Sequence, residues 1–309
     1  METITNIISH SLDSKRYFNS KNICFMDIET TGLNRNNNTI YLIGVLYFDY
    51  KINNWILNQY FANTLDKERK LLESFIDSIS IFDKIVTFNG ESFDLPFIEH
   101  RLKRYNINYK FNRSKSFDLY QIVKKNRYYL DLPDLKLKTI ERSLGFFRED
   151  KYSGYDCIGF YYDYVKSKNI KLKENVLKHN YDDLVHMLDI IQILDVLDNN
   201  KSFYIPLQNN TIKFTIENIE IKGDMITIKG FNDLPLQNNI RHYDDDYSII
   251  TEDLNRFTVS MEFKRGYVTK EQQCIYVDCL ENIWILTIEK NYCIDNIKNL
   301  LKKIFENIF

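Results

Sequence analysis

Hydrophobic and polar positions follow one pattern up to about residue 200 of this chain and another beyond it. Before that point, short continuous apolar runs predict buried strands. Beyond it, apolar and polar residues alternate, which predicts antiparallel strands. The predicted strands of the first part are residues 23–28, 39–49, 54–62 and 84–90. Those of the second part are residues 211–221, 224–231, 256–263, 274–280 and 282–288.

Apolar residues with helical spacing separate or follow the early strands. The predicted helices are residues 66–79, 91–105, 135–146, 154–167, 173–197 and, at the end of the chain, 295–309. Three strands in series, then a helix, a strand and several helices favour a layered α/β sheet. The sequence therefore predicts an α/β domain over residues 1–200 and a smaller β-rich (α+β) domain over residues 201–309.

Composition and charge narrow the class of protein. The chain has 309 residues, of which 44% are hydrophobic, with only 4 Pro and 9 Gly, so it is long enough for two globular domains without long linkers. The net charge is −2, divided as +1 over residues 1–200 and −3 over residues 201–309. A polyanion would therefore need a local basic patch or a bound metal ion.

Cysteine usage and hydropathy bear on the compartment. The five cysteines are odd in number and contain no Cys-x-x-Cys pair, which is typical of a reducing cytosol. The N-terminus lacks the apolar core of a signal peptide, and no apolar stretch reaches the roughly 18 residues of a membrane span. We therefore expect a cytoplasmic protein without a membrane segment.

Two acidic residues interrupt the first apolar run, FMDIETTGL. Asp27 and Glu29 are two residues apart in a predicted strand, so their side chains face the same side. Burying both as anions costs on the order of several kcal/mol unless a cation compensates them, and hard carboxylate oxygens suit Mg²⁺ or Mn²⁺. The alternative is a solvent-exposed strand end. The Thr30-Thr31-Gly32 turn favours a ligand site, because it brings backbone N–H groups close.

Two later stretches carry further acids. In FNGESFDLPF, Asp94 lies just inside a predicted helix, where a structural Asp is also common. In KHNYDDLVHML, His179 and Asp183 are four residues apart and share one helix face, whereas Asp182 points elsewhere. A solvated helix face would explain this last stretch on its own.

The three stretches together resemble the DEDD superfamily of 3′–5′ exonucleases, which have a ribonuclease-H-like fold. The last one is similar to the Tyr-x-x-x-Asp motif of one branch, with His179 at the tyrosine position. The branch with His-x-x-x-x-Asp spacing would require an acid where Leu184 stands. FDLYQIVKK, LKLKTIERSLGF and SGYDCIGFYYDYV extend the resemblance to the YprB-like ribonuclease-H-like family over residues 20–197. No family resemblance covers residues 203–309.

The resemblance implies a specific site. Its metal ligands would be Asp27, Glu29, Asp94 and Asp183, holding two Mg²⁺ or Mn²⁺ ions that clamp the scissile phosphate. His179 would orient or deprotonate the attacking water, although it could instead only pack near the site. Asp118 would be a supporting or structural acid. The residues expected to contact the nucleic-acid strand are Thr30, Leu33, Asn89 and Phe93, of which Phe93 could equally belong to the core.

The sequence thus predicts a metal-dependent 3′–5′ exonuclease that hydrolyses single-stranded DNA or RNA. Three alternatives stay open: a nucleic-acid-binding module that has lost turnover, an endonuclease on the same fold, and a C-terminal domain that binds a protein partner. The negative charge of residues 201–309 favours a protein over a nucleic acid as the partner of that domain. No residue distinguishes DNA from RNA, because none is identified with a 2′-hydroxyl contact.

Overall fold

The computed structural model describes residues 1–148, 152–207, 210–289 and 291–309, which form two compact units. The first unit contains Met1–Lys125 and Leu132–Ile193, and the second contains Asn126–Asp131 and Leu194–Phe309. The six residues Asn126–Asp131 therefore pack with the second unit, although they interrupt the first in sequence. Independent folding of residues 1–200 and 201–309 stays a prediction.

The first unit is built on a mixed six-stranded sheet with the strand order β1-β4-β3-β2-β5-β6. Strands β2, β5 and β6 are parallel, and the other neighbouring pairs are antiparallel. Its elements are β1 (Glu2–Ile8), α1 (Ser14–Phe18), β2 (Ile23–Thr30), β3 (Ile40–Asp49), β4 (Asn54–Phe61), α2 (Glu68–Ile79), β5 (Lys84–Thr87), α3 (Asp94–Arg104), β6 (Ser116–Asp118), α4 (Leu119–Lys125), α5 (Leu137–Ser143), α6 (Gly154–Ser167) and α7 (Ile170–Ile190).

The helices of this unit bury one face each. On α2 the apolar residues Leu71, Leu72, Phe75 and Ile79 recur at helical spacing, and all four are buried. Burial of each such side chain contributes about 1.5–3 kcal/mol before entropy is counted. Helix α6 begins with a capping box, in which Ser153 and Asp156 satisfy each other's backbone N–H groups.

Several predicted boundaries in this unit were wrong. The strand predicted to reach residue 90 ends at Thr87, because the chain turns at Asn89, which has a φ of 67°. The helix predicted from residue 91 begins at Asp94. The helix predicted over residues 173–197 is two helices, α7 and α8 (Ile193–Lys201), separated by a turn. Strand β1 and helix α1 were not predicted, since β1 is an edge strand that alternates exposed and half-buried positions.

The second unit is antiparallel β structure with one C-terminal helix. It forms a sheet of order β10-β11-β12-β9-β8-β7 and another of order β13-β14-β15-β16. Its elements are α8 from Leu194 on, β7 (Ser202–Leu207), β8 (Asn210–Lys222), β9 (Met225–Asn232), β10 (Arg241–Tyr243), β11 (Tyr247–Glu252), β12 (Arg256–Glu262), β13 (Lys264–Tyr267), β14 (Gln273–Cys279), β15 (Asn282–Ile288), β16 (Asn291–Tyr292) and α9 (Ile294–Ile308). The predicted fold class is therefore confirmed for both parts of the chain.

An aromatic cluster forms the centre of the second unit. The ring of Phe305, on α9, lies 4.4 Å from that of Phe214 and 5.3 Å from that of Phe257, measured between ring centroids. The second distance falls within the favourable range for aromatic pairs, and the first lies at its lower edge. Helix α9 thus closes the core of this unit with the apolar face that its sequence predicts.

Cysteine and membrane features complete the description. Among the described residues no two cysteines form a disulfide bond, and burial raises the pKa of Cys279 to about 11, so this thiol stays protonated at neutral pH. Across the described ranges, no helix is both long enough and apolar enough to cross a membrane.

Candidate active site

Strand β2 carries two of the predicted acids at the centre of the first sheet. It lies between β3 and β5, and Asp27 and Glu29 are alternate residues with side chains on the same face. Glu29 is buried and Asp27 is partly buried. The strand ends in the predicted turn, where the Thr30 hydroxyl donates to the carbonyl of Gly32 at 2.9 Å. The Thr30 hydroxyl therefore donates its hydrogen to the backbone of the turn.

Asp94 is the first residue of α3, and its carboxylate contacts β2. Its Oδ1 accepts a hydrogen bond of 3.2 Å from the backbone N–H of Ile28, the residue between Asp27 and Glu29. Asp94 is 5% exposed. This contact places a third carboxylate beside the two acids of the strand.

Asp118, at the end of β6, fixes the turn that leads into α3. Its carboxylate accepts hydrogen bonds from the backbone N–H groups of Asn89 at 2.8 Å and Glu91 at 3.0 Å. It also accepts one of 3.3 Å from Gln121 at the start of α4. Asp118 therefore supports the turn that positions Asp94.

Helix α7 supplies the remaining side chains of the cluster. His179 Nε2 lies 3.7 Å from Glu29 Oε1 and 3.8 Å from Asp183 Oδ2, beyond hydrogen-bond length from either. In the described part of the chain, His179 Nδ1 is buried without a hydrogen-bond partner. Asn180, the next residue, donates from Nδ2 to Asp27 Oδ2 at 2.8 Å. The helix thus places one imidazole beside Glu29 and one amide in a hydrogen bond with Asp27.

The pKa values show that the carboxylates interact. Burial raises the pKa of Asp27 well above its usual value, and the charges of Asp94 and Asp183 raise it further. The pKa of Glu29 is also raised well above its usual value, first by burial and then by the charges of Asp27, Asp183 and Asp94. Burial raises the pKa of Asp94 to about 7, against the hydrogen bonds from backbone N–H groups. The four acids therefore form one electrostatic cluster.

Sequence reasoning missed a basic residue at this cluster. Arg148 donates from Nη1 to Asp183 Oδ1 at 2.5 Å, and its Nε lies 3.0 Å from Glu141 Oε2. The Arg148 side chain is only 8% exposed. The chain offers no periodic signal for this residue, because it follows α5 in irregular structure. Its charge compensates Asp183 and Glu141.

The carboxylate oxygens of the cluster are the ligands that hard divalent cations prefer. Their side chains do not converge on one point as a complete set of metal ligands. Within the described ranges, no lysine or arginine forms an ion pair with Asp27, Glu29 or Asp94. The same ranges contain no group of three acidic, histidine or cysteine side chains that converges as a metal site. A cation that used Asp183 would therefore compete with Arg148 for one carboxylate oxygen.

The residues predicted to contact substrate lie in different environments. Leu33 follows the turn after β2 and is 83% exposed, whereas Phe93 packs against Phe97 at 5.5 Å between ring centroids and against the core. Asn89 lies partly buried at the turn before α3. Tyr155, near the start of α6, was not predicted and is 84% exposed. A Cβ at the preceding Gly154 would lie 3.6 Å from His179 Nε2, so the start of α6 lies close to the cluster.

Comparison with known families identifies the first part of the chain. The family model RNase_H_2, of the RNase_H superfamily, matches residues 24–195. The matched region contains the four acids and His179, and it spans more than half of the sequence. The chain belongs to the RNase_H superfamily.

Solved structures that this chain is similar to include two kinds of protein. A family B DNA polymerase from Pyrobaculum calidifontis is 12% identical, with a TM-score of 0.44 over 77% of this chain and 39% of the polymerase chain. E. coli exonuclease I in complex with a dT13 oligonucleotide is 15% identical, with a TM-score of 0.32 over 68% of this chain and 55% of that protein. This chain thus spans about two fifths and just over half of their lengths. No curated protein matches the sequence.

Proposed function

We propose that this member of the RNase_H superfamily is a metal-dependent 3′–5′ exonuclease of the DEDD type, similar to the YprB-like family, acting on single-stranded DNA or RNA. One observation carries the proposal. Asp27, Glu29 and Asp94 are clustered largely out of solvent, each has a raised pKa, and no lysine or arginine among the described residues is paired with them. Such a cluster is destabilising unless it binds a cation, and perturbed acids of this kind concentrate at functional sites.

In this proposal the four carboxylates hold two Mg²⁺ or Mn²⁺ ions. Bound there, divalent cations would offset the charge of the scissile phosphate and activate water for attack. His179 Nε2, between Glu29 and Asp183, is positioned to orient a water molecule or to accept its proton. The exposed Leu33 would pack against the terminal base of the strand. The nucleic acid itself is held through the phosphate, which explains how a chain with a net charge of −2 could bind it.

The first experiment is incubation of the purified chain with 5′-labelled single-stranded DNA and RNA, with Mn²⁺, with Mg²⁺ or with EDTA. We expect a ladder of shortened products with either metal and none with EDTA. Asp183→Asn should remove the activity, and Asp182→Asn is the matched control on the same helical turn, since Asp182 pairs with Lys178 instead. Equal cleavage with EDTA would contradict the proposal.

The direction of attack is tested with the same substrates. An oligonucleotide with a blocked 3′ end and a circular single strand should both resist an enzyme that requires a free 3′ end. Cleavage of the circle would favour the endonuclease alternative. DNA and RNA are compared at the same length and sequence, because the preference between them is not predicted.

A binding module without turnover is the second candidate, and the contact between Arg148 and Asp183 favours it. The guanidinium already occupies one oxygen of a predicted ligand, so a weakly bound cation would not displace it. In that case the chain would bind single strands in EDTA and in Mn²⁺ equally well without shortening them. If Arg148→Ala hydrolyses the strand and wild type does not, the natural chain binds single strands without hydrolysing them.

A further inference from the structure

Helix α7 approaches the sheet unusually closely at Gly44. Gly44 pairs with Asp27 on β2 and with Gln59 on β4, so the three residues lie side by side across three strands. A Cβ at Gly44 would overlap Leu184 Cδ1 and Asn180 Oδ1. Only glycine therefore lets α7 lie against the sheet at this point, and that approach brings Asn180 between Gln59 and Asp27.

Two buried amides connect these strands. Gln59 Nε2 donates to the backbone carbonyl of Leu177 and to Asn180 Oδ1, both at 2.8 Å. Asn180 Nδ2 in turn donates to Asp27 Oδ2 at 2.8 Å. Gln59 is 1% exposed and Asn180 is fully buried. No water is needed to complete this chain of hydrogen bonds.

The orientation of both amides is determined by their partners. The Leu177 carbonyl can only accept, so it requires the NH₂ group of Gln59 on its side. A carboxylate also accepts, so Asp27 requires the NH₂ group of Asn180. The oxygen of Asn180 then faces the NH₂ group of Gln59, so the two requirements agree. If either amide were reversed, its oxygen would face another acceptor oxygen without a hydrogen between them.

From this geometry we propose that Asn180, oriented by Gln59, is a positioning residue that fixes the plane of the Asp27 carboxylate for cation binding. The inference rests on the proposed function, since it assigns Asp27 as a metal ligand. Among the proposed metal ligands, Asn180 donates a hydrogen bond to Asp27, so it would act through that carboxylate. Partners of this kind, which hold a metal ligand by a hydrogen bond, typically change metal affinity by about 10–100-fold when they are removed.

The competing explanation is that the two amides only satisfy each other in the interface between α7 and the sheet. Both explanations predict some loss of stability on mutation, because each variant leaves a buried polar group without a partner. Only a positioning role predicts weaker cation binding in a protein that is still folded. Metal affinity in the absence of substrate is therefore the deciding measurement.

The experiment compares Mn²⁺ binding, followed by electron paramagnetic resonance and calorimetry without nucleic acid, in wild type and variants of the full chain. Asn180→Asp keeps the size but turns an oxygen towards Asp27, and we expect about 100-fold weaker Mn²⁺ binding. Asn180→Ala should weaken binding by about 10-fold. Gln59→Met, which removes the orienting donor at similar volume, should have a smaller effect in the same direction.

Asn232→Asp is the matched control. Asn232 is a buried amide in the second unit, where its Nδ2 donates to the backbone carbonyls of Leu234 at 2.7 Å and Leu254 at 2.9 Å. It should lose stability and keep wild-type Mn²⁺ affinity. If Asn180→Ala and Gln59→Met fold and bind Mn²⁺ as tightly as wild type, the positioning role is wrong. If wild type itself binds no Mn²⁺, the proposed function fails first and this inference with it.

Discussion

The two compact units bury polar groups of different kinds. In the described part of the first unit, five carboxylates and one arginine are buried: Glu29, Glu68, Asp94, Asp118, Glu141 and Arg101. In the described part of the second unit, the buried polar residues are all neutral: Ser202, Thr215, Asn232, Thr251 and Thr287. Since a buried charge costs far more than a buried hydroxyl, the first unit must have a compensating use for its acids.

Within the first unit, the acids divide again. Glu68 receives two hydrogen bonds from Arg101, at 2.7 and 2.5 Å, one from Tyr105 at 2.8 Å and one from the Ile40 N–H at 2.8 Å. In the described part of the chain, the basic side chain beside Glu29 is that of His179, whose Nε2 lies 3.7 Å from Glu29 Oε1. The charge of Glu68 is therefore compensated by Arg101, whereas no lysine or arginine among the described residues pairs with Asp27, Glu29 or Asp94. This difference separates a structural acid from a candidate ligand.

The largest effect that we expect is on hydrolysis when a candidate ligand is neutralised. Asp27→Asn should lower the rate by about 10³-fold or more, because the loss of a cation removes several kcal/mol of charge stabilisation. Single-turnover cleavage of a labelled strand measures it. In EDTA the same variant should be at least as stable as wild type, because repulsion within the cluster is relieved. Wild-type activity in Asp27→Asn would mean that Asp27 is not a metal ligand and, like Glu68, is a structural acid.

His179 provides the next test, because it contacts the cluster without being a carboxylate. His179→Ala should lower the rate by about 10²–10⁴-fold, the usual span for a lost general base. Mn²⁺ affinity should change much less, since all four acids remain. His179→Tyr should retain more activity than His179→Ala, because the phenol can still orient water. Equal rates for wild type and His179→Ala at every pH would show that this histidine only packs.

The structural acid should show the opposite behaviour. Arg101→Met leaves Glu68 buried without its cation, and we expect a loss of about 3–5 kcal/mol in the free energy of unfolding. The exposed pair of Arg69 and Glu73 is the matched control, and Arg69→Met should stay within about 0.5 kcal/mol.

Tryptophan fluorescence assigns this change to the first unit. A Trp284→Phe background leaves the buried Trp55 as the only tryptophan, because the chain has 2 in total. Urea unfolding is then followed in EDTA. A loss for Arg101→Met no larger than that for Arg69→Met would mean that Glu68 does not depend on its partner.

A smaller effect concerns pH. The pKa of Asp94 is about 7 in the native state and 3.8 as the ordinary value, so the native state holds more protons between these limits. Its contribution to stability is therefore greatest below about pH 4 and is lost as the pH rises towards 7. In EDTA the protein should become less stable between pH 5 and about 7.5, and Asp94→Asn should reduce this slope.

The comparison with Asp94→Asn isolates this residue from others that titrate nearby. The Asp189 carboxylate, which lies 3.4 Å from His186 Nδ1, raises the pKa of His186. This shift makes stability fall as the pH rises, both in wild type and in Asp94→Asn. The pKa of Asp189 is about 2, so that group stays ionised throughout the range. An identical slope in wild type and Asp94→Asn would show that burial does not raise the pKa of Asp94 in the native state.

Local patterns in the sequence predicted much of the fold and little of the polar network around the acids. The strands around Asp27 and the helix that carries Asp183 follow from apolar periodicity, because each buries one regular face. The partners Gln59 and Asn180 are 121 residues apart, and Asn180 and Asp27 are 153 apart, so no local period encodes their pairing. No local pattern predicts the position of Arg148 either, because this residue lies in irregular structure. Tertiary contacts, rather than propensity, decide these positions.

The smallest effect that we expect is on the site when the second unit is removed. A fragment of residues 1–200 should fold and bind Mn²⁺ as tightly as the full chain, because every residue of the cluster lies in the first unit. One segment should change. Tyr129 packs on the core of the second unit, and the ring of Tyr128 lies 5.6 Å from that of Tyr292.

In the fragment these two tyrosines lose their partners, so trypsin should cut after Arg127 in the fragment and spare it in the full chain. Mass spectrometry of a brief digest would locate the cut. Unchanged Mn²⁺ affinity together with this new cut would mean that the buried charges of the first unit need nothing from the second. Loss of Mn²⁺ binding in a folded fragment would mean that the second unit helps to hold the acidic cluster, and the contrast between the two units would then no longer locate function in the first alone.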